Sequence, residues 1–240
     1  MDEIRNQIEY SVLLERIKNV YRKISSAAIR SGRSPFDVTL VAVTKTVPYE
    51  RIKEGVDLGL RVLGENRVQE AQGKIEACKL QCADYELEWH LVGHLQKNKA
   101  KAAVHLFHLI HSLDSISLAQ EVNKHARKAG KIQRVLIQVN LSEEETKHGV
   151  PRKDLMDTIK AVFGMKNLKL EGLMTMPPYF ENPETARPFF RELRECRDQA
   201  EKKGYHLPEL SMGMTNDYEA AILEGATIVR IGTAIFGERS

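Results

Sequence analysis

Val38-Thr39-Leu40-Val41-Ala42-Val43-Thr44-Lys45 is an almost wholly apolar run that ends on an amine, and Thr46-Val47-Pro48 follows at once. A half-buried strand alternates polar and apolar positions. This run does not, so it predicts a parallel strand covered on both faces. Pro48 suits the first turn of a helix, which puts Lys45 at the carboxyl end of the strand. Ligands bind at that end in α/β folds, and a lysine drawn partly out of water loses basicity and becomes a candidate for Schiff-base chemistry. What Lys45 does then depends on the carbonyl compound it meets.

Outward from this strand the same unit repeats. Ahead of it, Ile17, Val20, Tyr21, Ile24 and Ala28 recur at helical spacing until Gly32 and Pro35, which predicts an amphipathic helix within 1–32. After it, helices are expected over 50–58, 67–80, 97–104, 117–128, 152–163, 183–203 and 216–223. Strands are expected over 61–64, 88–92, 109–113, 135–139, 169–174, near Leu210 and over 227–231. Eight strand and helix alternations in 240 residues favour a single α/β domain, 1–240, closed as a (β/α)8 TIM barrel with an extra N-terminal helix packed on it. No Gly-x-Gly-x-x-Gly turn follows the first strand, which weighs against an open dinucleotide-binding sheet. The segments Ser142 to Gly149, with three consecutive glutamates, and Pro177 to Pro183 follow strands and are candidates for a mobile lid.

With 42% hydrophobic residues the chain can bury a full core, and 36 basic against 33 acidic residues leave only +3. That balance argues against nucleic acid or an anionic membrane as the main partner and leaves room for a small anionic ligand. Cys78, Cys82 and Cys196 are odd in number and lack a second pair for a zinc site, so reduced thiols are expected. No leader and no apolar run of about 20 residues is seen, and a cytoplasmic monomer is expected.

The chemistry gathers near the end of the chain. Ser211-Met212-Gly213-Met214-Thr215 follows the seventh expected strand and Arg230-Ile231-Gly232-Thr233 closes the eighth. Barrels often bind phosphate in those two loops, where glycines admit close backbone N–H groups and hydroxyls add donors. The bland alternative is that both glycines only turn the chain. Asn216 is a candidate cap for the next helix. Arg230 interrupts an apolar strand, and a buried guanidinium must meet an acceptor, either a carboxylate of the barrel or a ligand atom. Asn66, after Gly64-Glu65, lies on the rim beside Lys45, to touch a ligand or to cap a helix. His90 and His94 are four residues apart, roughly 13 Å in an extended segment, so no shared metal is expected. Lys97, Lys99 and Lys101 read as a solvated helix start, and Met174, Thr175 and Met176 as wall.

Taken in order, Val43-Thr44-Lys45, Gly64-Glu65-Asn66, the run from His90 to Lys99, Gly172 to Met176, Ser211 to Thr215 and Arg230 to Gly237 closely resemble the pyridoxal phosphate homeostasis protein family over nearly the whole chain. The resemblance implies a barrel like the N-terminal domain of alanine racemase, with pyridoxal 5′-phosphate (PLP) on Lys45 as a Schiff base. It implies that Ser211, Gly213, Thr215, Gly232 and Thr233 surround the phosphate and that Arg230 faces the pyridine nitrogen. Asn66 and Met174 complete the cofactor-binding set. Position 215 is often serine in the family, and Thr215 keeps the hydroxyl.

An arginine on the ring nitrogen makes PLP a weaker electron sink than an aspartate does. Because the sequence ends at Ser240, just past the eighth strand, no second β domain with an opposing base is expected. The implied role is to hold PLP and supply it to PLP-dependent apoenzymes without substantial catalysis. The alternatives are a low-activity amino-acid racemase and a class I Schiff-base aldolase.

Overall fold

A computed structural model of the chain describes residues 2–142 and 148–238, with side chains from residue 7 onward. Most of the expected lid segment after Ser142 therefore lies outside the described residues. Eight parallel strands close into a barrel: β1 Thr39–Val43, β2 Val62–Glu65, β3 Glu88–Leu91, β4 Leu109–Leu113, β5 Gln133–Asn140, β7 Leu168–Met174, β8 Glu209–Ser211 and β9 Ile228–Ile231. β1 pairs with both β2 and β9, and β4 with β5, so no barrel strand is left as an edge. A two-residue strand that sequence spacing did not predict, β6 Val150–Pro151, pairs in parallel with the end of β5 outside the ring.

The helices cover the outside: α1 Asp2–Arg30, α2 Tyr49–Asp57, α3 Val68–Gln81, α4 Ala100–Leu106, α5 Ile116–Lys128, α6 Leu155–Phe163, α7 Arg187–Glu201, α8 Tyr218–Leu223 and α9 Thr233–Phe236. Three expected helices begin later than predicted, because their first turns, Lys97–Lys99, Arg152–Asp154 and Pro183–Ala186, wind as 3-10 helix. On α1, Leu13, Ile17, Val20, Ile24, Ala27 and Ala28 form one buried face, laid against α8 and α9.

The apolar core has two compartments, and β1 shows why its sequence lacks polar alternation. Leu40 and Ala42 point outward into the layer between strands and helices. Val41 points inward, where it packs with Val92, Leu109, Leu136, Met174 and Ile228. Each fully buried Leu or Val in such a layer contributes roughly 1.5–3 kcal/mol. Because all strands are parallel, their carboxyl ends share one mouth. No helix among the described residues is long and apolar enough to cross a membrane.

Candidate functional site

Lys45 stands at this mouth, but it does not close the strand: β1 ends at Val43, and Lys45 lies half-buried in a turn two residues on. Helix α3 grips the turn from below. Lys74 Nζ donates to Thr44 O at 2.6 Å, to Glu65 Oε1 at 2.7 Å and to Glu70 Oε1 at 2.7 Å, and Thr44 Oγ1 donates to Glu65 Oε1 at 2.6 Å. On the other side of Lys45 the Thr46 N–H donates to Glu70 Oε1, and the Thr46 hydroxyl donates to Lys45 O at 2.6 Å. Thr46 takes φ +62, the one positive value outside glycine among the described residues. A β-branched residue there is strained, which the surrounding bonds offset. Burial pushes the Glu65 carboxyl upward against the pull of Lys74 and Thr44. Glu70 has the opposite outcome: burial pushes it up, but Lys74 and the Thr46 N–H bring it below its ordinary value.

Pairing of β1 with β2 and β9 brings the neighbouring loops to Lys45. Asn66 lies in the bend after β2, packed so closely on Gly93 that a Cβ at 93 would sit 2.3 Å from Asn66 O. Gly232 follows β9, and a Cβ there would stand 3.2 Å from Val43 O. The loops after β8 and β9 are tied together: Arg230 N donates to Gly213 O at 3.0 Å and Ala234 N to Thr215 Oγ1 at 3.4 Å. Gly213 takes φ +91, and a Cβ would come within 2.6 Å of Ala221 Cβ, so the turn requires glycine. Thr233 is exposed at the start of α9, and Met174 is interior wall rather than rim.

Arg230 is the site's most unusual group. It is 3% exposed, and its guanidinium donates to Ser211 Oγ at 2.6 Å and Thr175 O at 2.9 Å, both neutral. Burial lowers it to about 10, opposed by the field of Asp217, so it keeps its charge at neutral pH. Asp217 also corrects the expected cap: it precedes α8 and its Oδ1 accepts from Met214 N, while Asn216 donates instead to Phe180 O.

The two histidines separate as their spacing predicted. His90 points into the barrel toward His111, and His94 stays on the rim, where its Nδ1 lies 3.2 Å from Asp114 Oδ2 and its ring stacks on His148 at 3.8 Å and 9°. One donor atom from each of His94, Asp114 and His148 lies within 4.8 Å of the others. Stacked imidazoles direct their lone pairs along parallel planes, so this trio does not converge on one point as ligands of an ion must. Sequence reading missed Lys74, Glu70 and His111. Of these, His111 had a signal, since it interrupts an apolar strand as Arg230 does.

The barrel and its mouth define a class, and comparison with known proteins agrees: the family described as "Alanine racemase, N-terminal domain" matches residues 12–240. Within it, the chain is 50% identical to the pyridoxal phosphate homeostasis protein of Aquifex aeolicus (strain VF5), over 94% of this chain and 97% of that one. It is 40% identical to the protein of that name from Escherichia coli (strain K12), over 95% and 97%. The structure of PipY from Synechococcus elongatus PCC7942, with PLP bound, superposes with a TM-score of 0.80 at 34% identity, covering 94% of this chain and 100% of that one. The chain belongs to the pyridoxal phosphate homeostasis protein family.

Proposed function

We propose that this protein holds PLP as a Schiff base on Lys45 and serves intracellular PLP homeostasis and cofactor supply without substantial catalysis. The observation that carries the reading is Arg230, a buried cation bonded to neutral acceptors at the mouth that Lys45 shares. The donor set fits PLP: a half-buried amine suits its aldehyde, Thr215 and the close backbone around Gly213 and Gly232 suit its phosphate, and a donor-only guanidinium suits an unprotonated ring nitrogen. When bound, PLP supplies an aldehyde that exchanges reversibly between amines. Lys45 provides the amine, Arg230 meets the ring nitrogen, and the α3 grip fixes the Lys45 turn. The other members of this set are hydroxyls, backbone groups and a guanidinium that keeps its charge, and a set of that kind suits retention over turnover.

Incubation with PLP should produce visible absorbance that borohydride removes, leaving a mass adduct on Lys45. Lys45→Ala should abolish the adduct. A colourless protein indifferent to PLP would overturn the proposal, and repeated solvent deuterium incorporation at Cα of a single amino-acid enantiomer would point to a racemase instead.

A further inference from the structure

The Ser211 hydroxyl belongs to a hydrogen-bonded file that runs down the inside of the barrel. Arg230 Nη1 to Ser211 Oγ is 2.6 Å, Ser211 Oγ to His111 Nδ1 is 2.8 Å, His111 Nε2 to His90 Nδ1 is 3.1 Å, and His90 Nε2 to Glu88 Oε2 is 3.2 Å. Ser211 and His111 are fully buried and His90 is 2% exposed. Glu88 stands at the amino end of β3, the end of the barrel away from the mouth, where Arg134 Nη1 also holds it at 3.0 Å.

With both rings kept neutral by burial, the two ends fix the direction of everything between them. A guanidinium only donates and a carboxylate only accepts. His90 must therefore donate from Nε2 to Glu88 and accept at Nδ1, His111 must donate from Nε2 and accept at Nδ1, and Ser211 must give its one proton to His111. Each neutral imidazole is then the Nε2–H tautomer. Burial keeps both below their ordinary range, reinforced at His111 by His90 and Arg230. Glu88 is lowered to about 2 by the His90 hydrogen bond and by Arg134, so it stays an acceptor.

We propose that His111 and His90 are positioning residues for Arg230, aiming the lone pairs of Ser211 at its guanidinium and coupling the mouth to Glu88 at the far end of the barrel. The link to ligand binding rests on the reading that Arg230 meets the cofactor ring. One consequence is immediate: Ser211 has no proton left for a phosphate, and hydroxyl donation there falls to Thr215 and Thr233.

The test begins with ¹⁵N-histidine NMR on protein without added PLP, so that it does not depend on the cofactor. His90 and His111 should both show the neutral Nε2–H tautomer, and neither should titrate near pH 6.5. Glu88→Ala, placed outside the site, should shift the nitrogen resonances of both rings and weaken PLP binding about five-fold, the scale of one buried hydrogen bond. His111→Gln, which keeps an acceptor and a donor, should retain affinity better than His111→Leu. An Nδ1–H tautomer at either ring, or ring signals unmoved by Glu88→Ala, overturns the relay. Shifted rings in a protein that shows no PLP absorbance support the relay and remove the cofactor reading instead.

Discussion

Two cations of this barrel, the partly buried Lys74 and the buried Arg230, are handled in opposite ways. Lys74, 12% exposed, sits between the carboxylates of Glu65 and Glu70 and also caps the Thr44 carbonyl. Arg230 is buried more deeply, yet its hydrogen bonds go to a hydroxyl and a carbonyl, with Asp217 acting only through its field. A cation matched by carboxylates is part of the scaffold. One bonded to neutral groups retains attraction for an incoming acceptor, which separates the residue that shapes the mouth from the residue that reads the ligand.

The comparison breaks most sharply at Lys74. Lys74→Met should lower unfolding free energy by about 3 kcal/mol, because it leaves Glu65 buried without its cation. Urea unfolding measures this, and the loss should shrink in acid as Glu65 takes up a proton. Oxygen Oε2 of Glu65 already lacks a hydrogen-bond partner among the described residues.

The second test is pH. His90 and His111 are held below their ordinary range by burial, and each returns to about 6.5 when unfolded. The unfolded chain then binds protons first. Stability should be level above pH 6.5 and fall below it, by about 1.4 kcal/mol per pH unit for each fully shifted group. Burial lowers His108 as well, so His111→Gln should remove about a third of that slope, and an unchanged slope would place the acid sensitivity elsewhere.

Arg230→Met should lower stability by less than Lys74→Met, about 1–2 kcal/mol, because the groups it leaves without a donor, Ser211 Oγ and Thr175 O, are neutral. It should nevertheless abolish the rise in melting temperature that PLP gives the parent protein. If its stability falls as far as that of Lys74→Met, the contrast between the two cations is wrong. The smallest effect is expected at Glu224, which is shared by Arg187, Arg191 and Arg194. Arg191 is half exposed, and Arg191→Ala should leave the urea midpoint nearly unchanged, since solvent screens such a pair.

These residues also show what the sequence made legible. The barrel could be read because β1 is apolar on both faces and the same unit recurs eight times. Arg230 could be read because a guanidinium cannot shed its charge, so its place in an apolar strand required explanation. His111 occupies the same kind of place in β4, but a neutral imidazole passes as an ordinary buried residue, and its role appears only with Ser211 and His90 beside it. Lys74 gave little signal, because an i,i+4 pair with Glu70 on one helix is ordinarily solvated and its other two partners, Thr44 and Glu65, come from two other segments. The late starts of α4, α6 and α7 were hidden because 3-10 and α-helical turns share nearly the same apolar spacing over three residues.

Thr46 gives the Lys45 turn a thermodynamic meaning. With Thr44 and Thr46 both held by α3, and the Lys45 carbonyl itself accepting from the Thr46 hydroxyl, the peptide units flanking the lysine are ordered before any ligand arrives. The entropy left to lose on attachment is at most that of the lysine side chain, about 2 kcal/mol. The backbone share, roughly 1–2 kcal/mol per residue, was already surrendered when the barrel folded.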